Sequence, residues 1–554
     1  MTPIAQHALV LTSAGRSLSA TCFVPETVSR TALLVLPFAE ERKGALPVFV
    51  ELARALAERQ TASLLFDFSG CGDSDGAFEQ IAPEAFEADC ACAWAWLGAA
   101  FPAAPRLILG LRTGALLAQR LAARHAETSA LVLWSPVSGA DFLRQLLQRR
   151  MVNDMVAYGK ARESRAALEA RLSAGETVDL DGYPVSGALH AWLLGLVPQP
   201  VVSATCVLSG GHDEKTAAAC LPEGAEHARP ALRYPPFWNT VGHVDLAPLI
   251  AATADWIAGQ KAGAPQPAAA PVGHAAPDAR FVSFPSAQTV RAVFDAPSGA
   301  PRGGVLFLHG WSGDRTGPHR LFTRFGRRLA EQGWLGLRPD FVGRGLSDGA
   351  AADASIAGMT RDARAALAVL RSRLPPGAPV AVVAICSGCK VALSLAAQEP
   401  ELDRLLLWSA ESMGSLRSAA TGLRKTLQAL ATYARKLSRP ETWKKILRGH
   451  VQTGMVTKAL TRHETRSAAE AAAEDQTLKR FRSFRGPLLF VFGGSDPDAP
   501  GSSQAYARYC AAHRIPHEIH TIPHAGHSYY GEAWTRDLFE LSERFLSPIP
   551  RPRP

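Results

Sequence analysis

Two halves of this sequence repeat one another, with the same order of apolar runs, turns and polar residues. Three matched pairs, at spacings of 272 to 274 residues, are Pro37 with His309, Asp67 with Asp340, and Arg112 with Cys386. Two later pairs, at spacings of 283 and 284 residues, are Asp213 with Asp496 and His243 with His527. A constant spacing that shifts once predicts a single fold present twice, with a longer insertion in the second copy. The 554 residues agree, because they exceed what one ordinary core holds.

Strand-like and helical patterns alternate along each half. Continuous apolar runs, such as Thr31 to Leu36 and Val380 to Ile385, are typical of strands buried on both faces. Because helical patterns separate these runs, they predict βαβ units and a mostly parallel sheet in each half. Two stretches without strand rhythm, about 135–200 and 410–484, predict helical caps. We therefore expect a first domain over 1–258, a linker rich in Ala, Pro and Gly over 259–279, and a second domain over 280–554.

The apolar run that ends at Ile385 stops at a single reactive side chain, Cys386, and an Ala-rich helical pattern follows at once. Small residues flank the cysteine two positions away on each side, at Ala384 and Gly388. Small residues are needed there if the turn is strained and the flanking backbones pass close together. This strand, tight turn and helix is the arrangement in which α/β-hydrolases hold their nucleophile. The predicted fold class is therefore α/β, with two tandem α/β-hydrolase domains.

A thiol at that turn needs a base to become a thiolate at neutral pH, and the base needs an orienting carboxylate. In this fold the nucleophile, the acid and the histidine follow in that order along the chain. We assign Cys386 as nucleophile, His527 as base and Asp496, which ends a strand-like run, as orienting acid. Alternative acids are Asp498 and Glu411, and the alternative base is His524.

Acyl transfer also needs N–H donors for the negative charge that develops on the carbonyl oxygen. One donor is expected from the backbone of Ser387, the residue after the nucleophile. The other is expected from the loop after the third strand, where the Trp311 N–H is the candidate.

Three other interpretations of this turn are open. A cysteine after an apolar run is usually buried and inert. Ser387 is an alternative nucleophile, although its own second neighbours, Ile385 and Cys389, are bulky for such a turn. Cys386 and Cys389 also form a Cys-x-x-Cys redox motif, which would leave the acid and the histidine without a role.

The first half keeps the turn but has Arg112 at its centre, between Gly110 and Gly114. Arginine stays protonated and cannot attack a carbonyl, so Asp213 and His243 have nothing to activate and the site is degenerate. In one interpretation Arg112 binds an anion at the start of a helix. In the other it holds a dead site shut by pairing with an acid, for which the candidates are Glu40, Glu41 and Asp213.

Composition sets the surroundings in which such a protein is expected. The chain is 47% hydrophobic, 20% charged and has a net charge of +9. It shows no signal peptide and no apolar run long enough to span a bilayer, and its nine cysteines are scattered, so we expect a cytoplasmic protein without a disulfide framework. No motif requires a cofactor, a metal ion or nucleic acid, and none of these is expected.

The second cap is basic, with nine Lys and Arg residues and one acid between Arg417 and Arg448. A solvated amphipathic surface is the plain interpretation. A groove for an anionic acyl carrier, saccharide or lipid headgroup is the more specific one, and it would allow contact with a membrane surface or an export machinery. The sequence leaves the oligomeric state open.

Short motifs in both halves resemble those of one pair of families. Pro37-Phe-Ala-Glu-Glu together with Gly110-Leu-Arg-Thr-Gly-Ala-Leu-Leu-Ala resembles the type 2 hydrolase-like proteins associated with bacterial exosortase A systems. The cysteine turn together with Ser438-Arg-Pro-Glu-Thr-Trp-Lys-Lys-Ile-Leu-Arg-Gly resembles the type 1 hydrolases of those systems. The resemblance implies a hydrolase that accompanies exopolysaccharide and protein-sorting loci. The type 1 turn commonly begins Gly-Leu-Cys-Asp, whereas this one is Ala-Ile-Cys-Ser.

A Cys-His-Asp triad in this fold is also similar to that of dienelactone hydrolase. The expected function is hydrolysis of an ester or thioester, on a small-molecule or carrier-bound acyl substrate, through Cys386 of the second domain. Alternatives are an acyltransferase with the same covalent cysteine intermediate, and a non-catalytic scaffold in polysaccharide or protein export.

Overall fold

The computed structural model describes residues 4–201, 204–221, 227–228, 230–240, 244–267, 280–417 and 468–547. The basic stretch of the second cap lies outside these residues, except for Arg417, and so does His243.

Each half of the chain contributes a sheet of eight strands. In the first half the strands are β1 (Ala5–Ser13), β2 (Arg16–Val24), β3 (Thr27–Val28), β4 (Arg30–Val35), β5 (Thr61–Phe66), β6 (Arg106–Leu111), β7 (Thr128–Trp134), β8 (Val178–Leu180), β9 (Tyr183–Val185), β10 (Ala204–Leu208), β11 (His227–Ala228) and β12 (Gln266–Pro267). In the second half they are β13 (Phe281–Pro285), β14 (Thr289–Asp295), β15 (Gly303–Leu308), β16 (Trp334–Asp340), β17 (Val380–Ile385), β18 (Arg404–Trp408), β19 (Leu488–Gly493) and β20 (His517–Ile522).

The two large sheets have the same strand order. The first runs β1-β2-β5-β4-β6-β7-β10-β11 and the second runs β13-β14-β16-β15-β17-β18-β19-β20. In each, the first two strands pair antiparallel with their neighbours and the other pairs are parallel. The predicted fold, two domains with mostly parallel sheets and flanking helices, is confirmed.

Helices flank both sheets. Those of the first half are α1 (Glu41–Ala57), α2 (Ala85–Ala100), α3 (Thr113–Arg124), α4 (Gly139–Tyr158), α5 (Arg165–Ser173), α6 (Gly187–Leu194), α7 (Glu214–Ala219) and α8 (Ala247–Ala258). Those of the second half are α9 (Leu321–Glu331), α10 (Ile356–Arg371), α11 (Gly388–Ala396), α12 (Ala468–Phe481), α13 (Ala499–His513) and α14 (Glu532–Leu546).

The first cap consists of α4, α5 and α6 together with a small hairpin of β8 and β9. Each of the three helices begins after a serine whose hydroxyl accepts a backbone N–H of the first turn, which satisfies a donor that the helix itself leaves unpaired. The sequence analysis predicted only helices here. It missed the hairpin, although Asp181 and Gly182, with φ of 58° and 78°, supply the left-handed turn that a two-residue hairpin loop needs.

The segment expected to be a linker is tied to the first domain at its start. Gly263 donates its N–H to the Ser29 carbonyl oxygen at 2.8 Å, and β12 pairs with β3. Residues 268–279 lie outside the described part of the chain. The domain limits drawn from the sequence remain predictions.

Loops of the two domains exchange places at their interface in a reciprocal manner. Arg54 of α1 donates to the Ser347 carbonyl oxygen at 3.0 Å, and Arg327 of α9 donates to that of Ser74 at 3.1 Å. Both pairs join positions that are equivalent in the repeat, since 54 and 327 lie 273 residues apart, as do 74 and 347. The domains are therefore related by an approximate two-fold rotation at this contact.

The exchanged loop of the first domain carries the buried Asp73, which accepts from Arg315 and from Arg338 at 2.7 Å each. Burial opposes ionisation of Asp73, but the two guanidinium groups hold its pKa well below the usual range. Arg320 enters the same loop and donates to four of its carbonyl oxygens, those of Gly70, Gly72, Ser74 and Gly76. At the position equivalent to Asp73 the second domain has Leu346, which packs in a core cluster of the first domain.

Candidate active site

The cysteine turn has the strained backbone that its flanking residues predicted. Cys386 follows β17 with a φ of 57°, a left-handed conformation that is costly for a residue with a side chain. A Cβ at Gly388 would lie 2.2 Å from the Leu308 carbonyl oxygen, so α11 packs against β15 only with glycine there. The equivalent Arg112 has a φ of 58°, and a Cβ at Gly114 would meet the Val35 carbonyl oxygen at 2.5 Å. Both turns share one geometry.

Three side chains converge at the turn in the second domain. Nδ1 of His527 lies 2.7 Å from the Asp496 carboxylate, which leaves Nε2 for the thiol. The Cys386 sulfur and one ligand atom each of His527 and Glu411 lie within 4.8 Å of one another. The alternative acid, Asp498, instead donates its backbone N–H to Asp496 at 3.0 Å and so holds the neighbouring carboxylate.

The histidine is held in its charged form. Burial alone would lower the pKa of His527, but the hydrogen bonds to Asp496 and Cys386 outweigh it and raise this pKa to about 10. An imidazolium next to a cysteine favours the thiolate over the thiol. The charge arrangement thus suits a nucleophilic sulfur.

Glu411, one of the alternative acids, faces the sulfur from the other side. Its Oε1 accepts from Cys386 at 3.4 Å, and its Oε2 pairs with the Lys390 ammonium at 2.8 Å. Burial works against ionisation of Glu411, but Lys390 outweighs it and lowers the pKa of the carboxyl to about 2. Glu411 is therefore a permanently charged neighbour of the thiol, not the partner of His527 Nδ1.

The same three residues, Cys386, Glu411 and His527, are the group within the described part of the chain whose side chains could ligate a metal ion together. The ammonium of Lys390 already neutralises Glu411 and would repel a cation placed there.

The oxyanion donors predicted from the sequence lie next to each other. The Trp311 N–H donates to the Ser387 hydroxyl at 2.7 Å. A Cβ at Gly310 would approach that of Cys386 to 3.3 Å, so the loop after β15 comes close to the turn only because residue 310 is glycine. An acyl oxygen bound by the Trp311 N–H would take the place that the Ser387 hydroxyl now holds.

The second cysteine of the Cys-x-x-Cys motif is directed into the core. Cys389 is completely buried and its sulfur donates to the carbonyl oxygens of Ala384 and Trp408. Burial raises the pKa of the Cys389 thiol well above its usual value. Both cysteines are free thiols. This environment disfavours the redox interpretation.

At the first-domain turn, Arg112 is buried and surrounded by acceptors. It pairs with Glu41 at 3.3 Å and with Asp213 at 2.5 Å, donates to Gln145 and lies 4.7 Å from the centre of the Trp238 ring. Two carboxylates thus occupy the guanidinium, which favours the closed-site interpretation over anion binding. The third candidate partner, Glu40, contacts the second domain instead.

The first domain touches both loops that carry the acid and the base. The Ala157 carbonyl oxygen, at the end of α4, accepts from Ser495 at 3.2 Å and from His524 at 3.0 Å. The alternative base His524 is thus an interdomain contact, and its ring lies 4.6 Å from that of Tyr158.

Glu40, which precedes α1, makes a second contact with the histidine loop. It accepts from the Tyr530 hydroxyl at 2.7 Å and from the His319 N–H at 3.0 Å. His319 in turn lies 3.2 Å from the Ser528 carbonyl oxygen, next to His527. Sequence reasoning missed Lys390 and these interdomain contacts. A lysine inside an otherwise apolar helix was the available signal for Lys390.

Comparison with known proteins gives two family models and a set of solved structures. The model described as Alpha/beta hydrolase family matches residues 305–541, and the model described as Serine aminopeptidase, S33 matches residues 46–162. No curated protein matches the sequence.

Three of the similar solved structures have low sequence identity to this chain. Est1E from Butyrivibrio proteoclasticus, solved with ferulic acid, is 15% identical, covers 48% of this chain and 100% of its own, and has a TM-score of 0.34. Dienelactone hydrolase from Anabaena variabilis is 13% identical, with 48% and 97% covered and a TM-score of 0.31. The thioesterase domain from the curacin biosynthetic pathway is 16% identical, with 47% and 97% covered and a TM-score of 0.31.

The strand order and the two family models define the chain as a tandem of two α/β-hydrolase domains. They support an enzyme of the hydrolase class. In the described residues, no helix is long and apolar enough to cross a membrane.

Proposed function

We propose that the second domain hydrolyses esters or thioesters through Cys386, with His527 as base and Asp496 as orienting acid. The observation that carries this proposal is the pairing of His527 Nδ1 with Asp496 at 2.7 Å while the sulfur lies within 4.8 Å of the ring. A buried, inert cysteine would need neither partner. The left-handed turn at Cys386 supports it, because that strain has a use only if the side chain must be presented.

In the proposed reaction, the proton of the Cys386 thiol passes to Nε2 of His527 and the thiolate attacks the acyl carbon. The carbonyl oxygen gains the negative charge, which the N–H groups of Ser387 and Trp311 bind. His527 then returns its proton to the leaving alcohol or thiol, and an acyl-cysteine thioester remains. Water, deprotonated by His527, releases the carboxylic acid and restores the thiol.

The first domain is proposed to be a positioning partner without catalysis of its own. Its turn has arginine in place of a nucleophile, and Arg112 is paired with Glu41 and Asp213. Its α4 end and Glu40 contact the loops of Asp496 and His527. The resemblance to hydrolases of exosortase A systems supports a setting near polysaccharide or protein sorting.

Acyl-ester hydrolysis by the full chain tests the proposal. p-Nitrophenyl esters and acyl thioesters of two to twelve carbons are supplied to the wild type, Cys386→Ala and Cys389→Ala. We expect turnover in the wild type and in Cys389→Ala, and a loss of at least about 1000-fold in Cys386→Ala. Absence of turnover across all chain lengths, together with failure of iodoacetamide to label Cys386, would support the scaffold alternative instead.

A further inference from the structure

A cavity of about 650 Å³ opens between the two domains beside the oxyanion loop. From the first domain its wall includes Val48, Trp238 and Val152, and from the second it includes Trp311 and Arg344. Trp311 belongs to both the cavity and the candidate active site, because its side chain lines the cavity while its N–H donates to Ser387. A substrate held in the cavity is therefore next to the proposed reaction centre.

Arg344 is the exceptional side chain in this wall. The residue is only 6% exposed, yet it has no carboxylate partner among the residues that the structure describes. Its Nε donates to the Trp311 carbonyl oxygen, and Nη1 donates to those of Gly343 and Ala351. Nη2 is buried and has no hydrogen-bond partner within the described chain. Burial without a compensating anion lowers the pKa of Arg344 to about 10.

A buried cation without a counter-charge costs free energy, and leaving its donor unpaired adds to that cost. The other cations of the wall have anionic partners: Lys43 lies 3.7 Å from Glu40 and Arg149 lies 3.9 Å from Asp181. Arg344 thus differs from them in being placed for a group that arrives from outside the chain.

We propose that Arg344 binds a singly charged anionic group of the acyl substrate, a carboxylate or a phosphodiester, in this interdomain cavity. This inference rests on the function proposed for Cys386 and adds the substrate class. The Trp238 ring and Val48 supply the apolar surface for the rest of the ligand. A doubly charged phosphate monoester is disfavoured, because the carboxylates of Glu40, Glu51 and Asp181 also line the cavity.

Paired esters test the charge preference. The full chain is given p-nitrophenyl hemisuccinate, which is anionic, and p-nitrophenyl butyrate, which is neutral and similar in size. We expect Arg344→Gln to lower the ratio of kcat/KM for the anionic over the neutral ester by about 10- to 100-fold. Arg344→Lys, which keeps the charge, should restore part of it. Arg324→Gln, which removes an arginine paired with Glu532 outside the cavity wall, should leave the ratio unchanged.

The ratio is the readout because Arg344 also holds the Trp311 carbonyl oxygen, so both esters slow together if only the loop moves. A ratio that is the same in wild type and Arg344→Gln, with both proteins folded by circular dichroism, would overturn the inference. If Cys386→Ala still abolished turnover in that case, the proposed hydrolase function would stand.

Binding without turnover separates the two sources of the anion. In Cys386→Ala, tryptophan fluorescence is titrated with monohexyl succinate, with methyl hexyl phosphate, or with neutral hexyl methyl succinate. The inference requires at least one anion to bind about tenfold or more tightly than the neutral diester, and Arg344→Gln to abolish that difference. The tighter of the two identifies a carboxylate or a phosphodiester. Equal binding of all three would contradict it, whatever the fate of the catalytic proposal.

Discussion

His319 makes the contact between the domains sensitive to acid. Its ring is 1% exposed, packs 5.1 Å from that of Tyr530, and donates through Nε2 to the Ser528 carbonyl oxygen. Nδ1 is buried without a hydrogen-bond partner in the described chain, so a second proton would have no acceptor there. Burial lowers the pKa of His319 from 6.5 to about 3.

The sign of the pH effect follows from these two values. Between pH 6.5 and 3 the open or unfolded state binds a proton that the closed state excludes, so stability is full above pH 6.5 and falls as the pH falls. From pH 7.5 to 4.5 the loss amounts to about 3 kcal/mol, or roughly 100-fold in the opening equilibrium. His319→Gln, which keeps a donor for Ser528 but cannot titrate, should lose this component.

Hydrogen exchange of the peptide that spans 524–530, measured by mass spectrometry and corrected for intrinsic rates, reads that equilibrium directly. We expect wild-type protection to fall about 100-fold more than that of His319→Gln between pH 7.5 and 4.5. Other acid-sensitive groups, including the buried His309, are common to both proteins and cancel in the comparison. Parallel losses of protection in the two proteins would refute the reasoning.

Two further variants examine the acid and the interface. Asp496→Asn should lower kcat of ester hydrolysis by about 100-fold or more and remove the raised pKa of His527 from its titration, whereas Asp498→Asn should cost about tenfold or less; the reverse order would reassign the acid. Asp73→Asn should destabilise the interdomain contact in urea unfolding by about 3 kcal/mol, because it leaves two buried arginines undercompensated. Since the pKa of Asp73 is well below its usual range, that penalty should be constant from pH 5 to 8, and a penalty that vanishes at pH 5 would contradict it.

The fold was predictable from the sequence because its signals are local and occur twice. Apolar runs place β15 and β17, and the small residues at Ala384 and Gly388 report a close backbone approach that the structure contains. The order of Asp496 and His527 along the chain follows from the topology. The choice between Asp496 and Asp498 does not, because two carboxylates in one loop differ only in where the folded loop points them.

The features that sequence reasoning missed depend on contacts between distant segments. Lys390 meets Glu411 only because α11 and the end of β18 lie side by side. The cavity at Arg344 forms between two domains, and no local pattern encodes which loops face each other. The basic cap lies outside the described residues apart from Arg417, so its proposed partner stays a prediction.

The reciprocal contact of Arg54 with Ser347 and of Arg327 with Ser74 has a consequence for how the halves exist. A contact that maps onto itself under a two-fold rotation is isologous, the kind that joins identical subunits in a dimer. Each half therefore occupies a subunit's place, and the covalent connection mainly raises the concentration at which they meet. Residues 280–554 expressed alone would carry Arg315, Arg320 and Arg338 to the surface without the first domain's acceptors. The catalytic half needs its inactive counterpart in the way that one protomer needs the other.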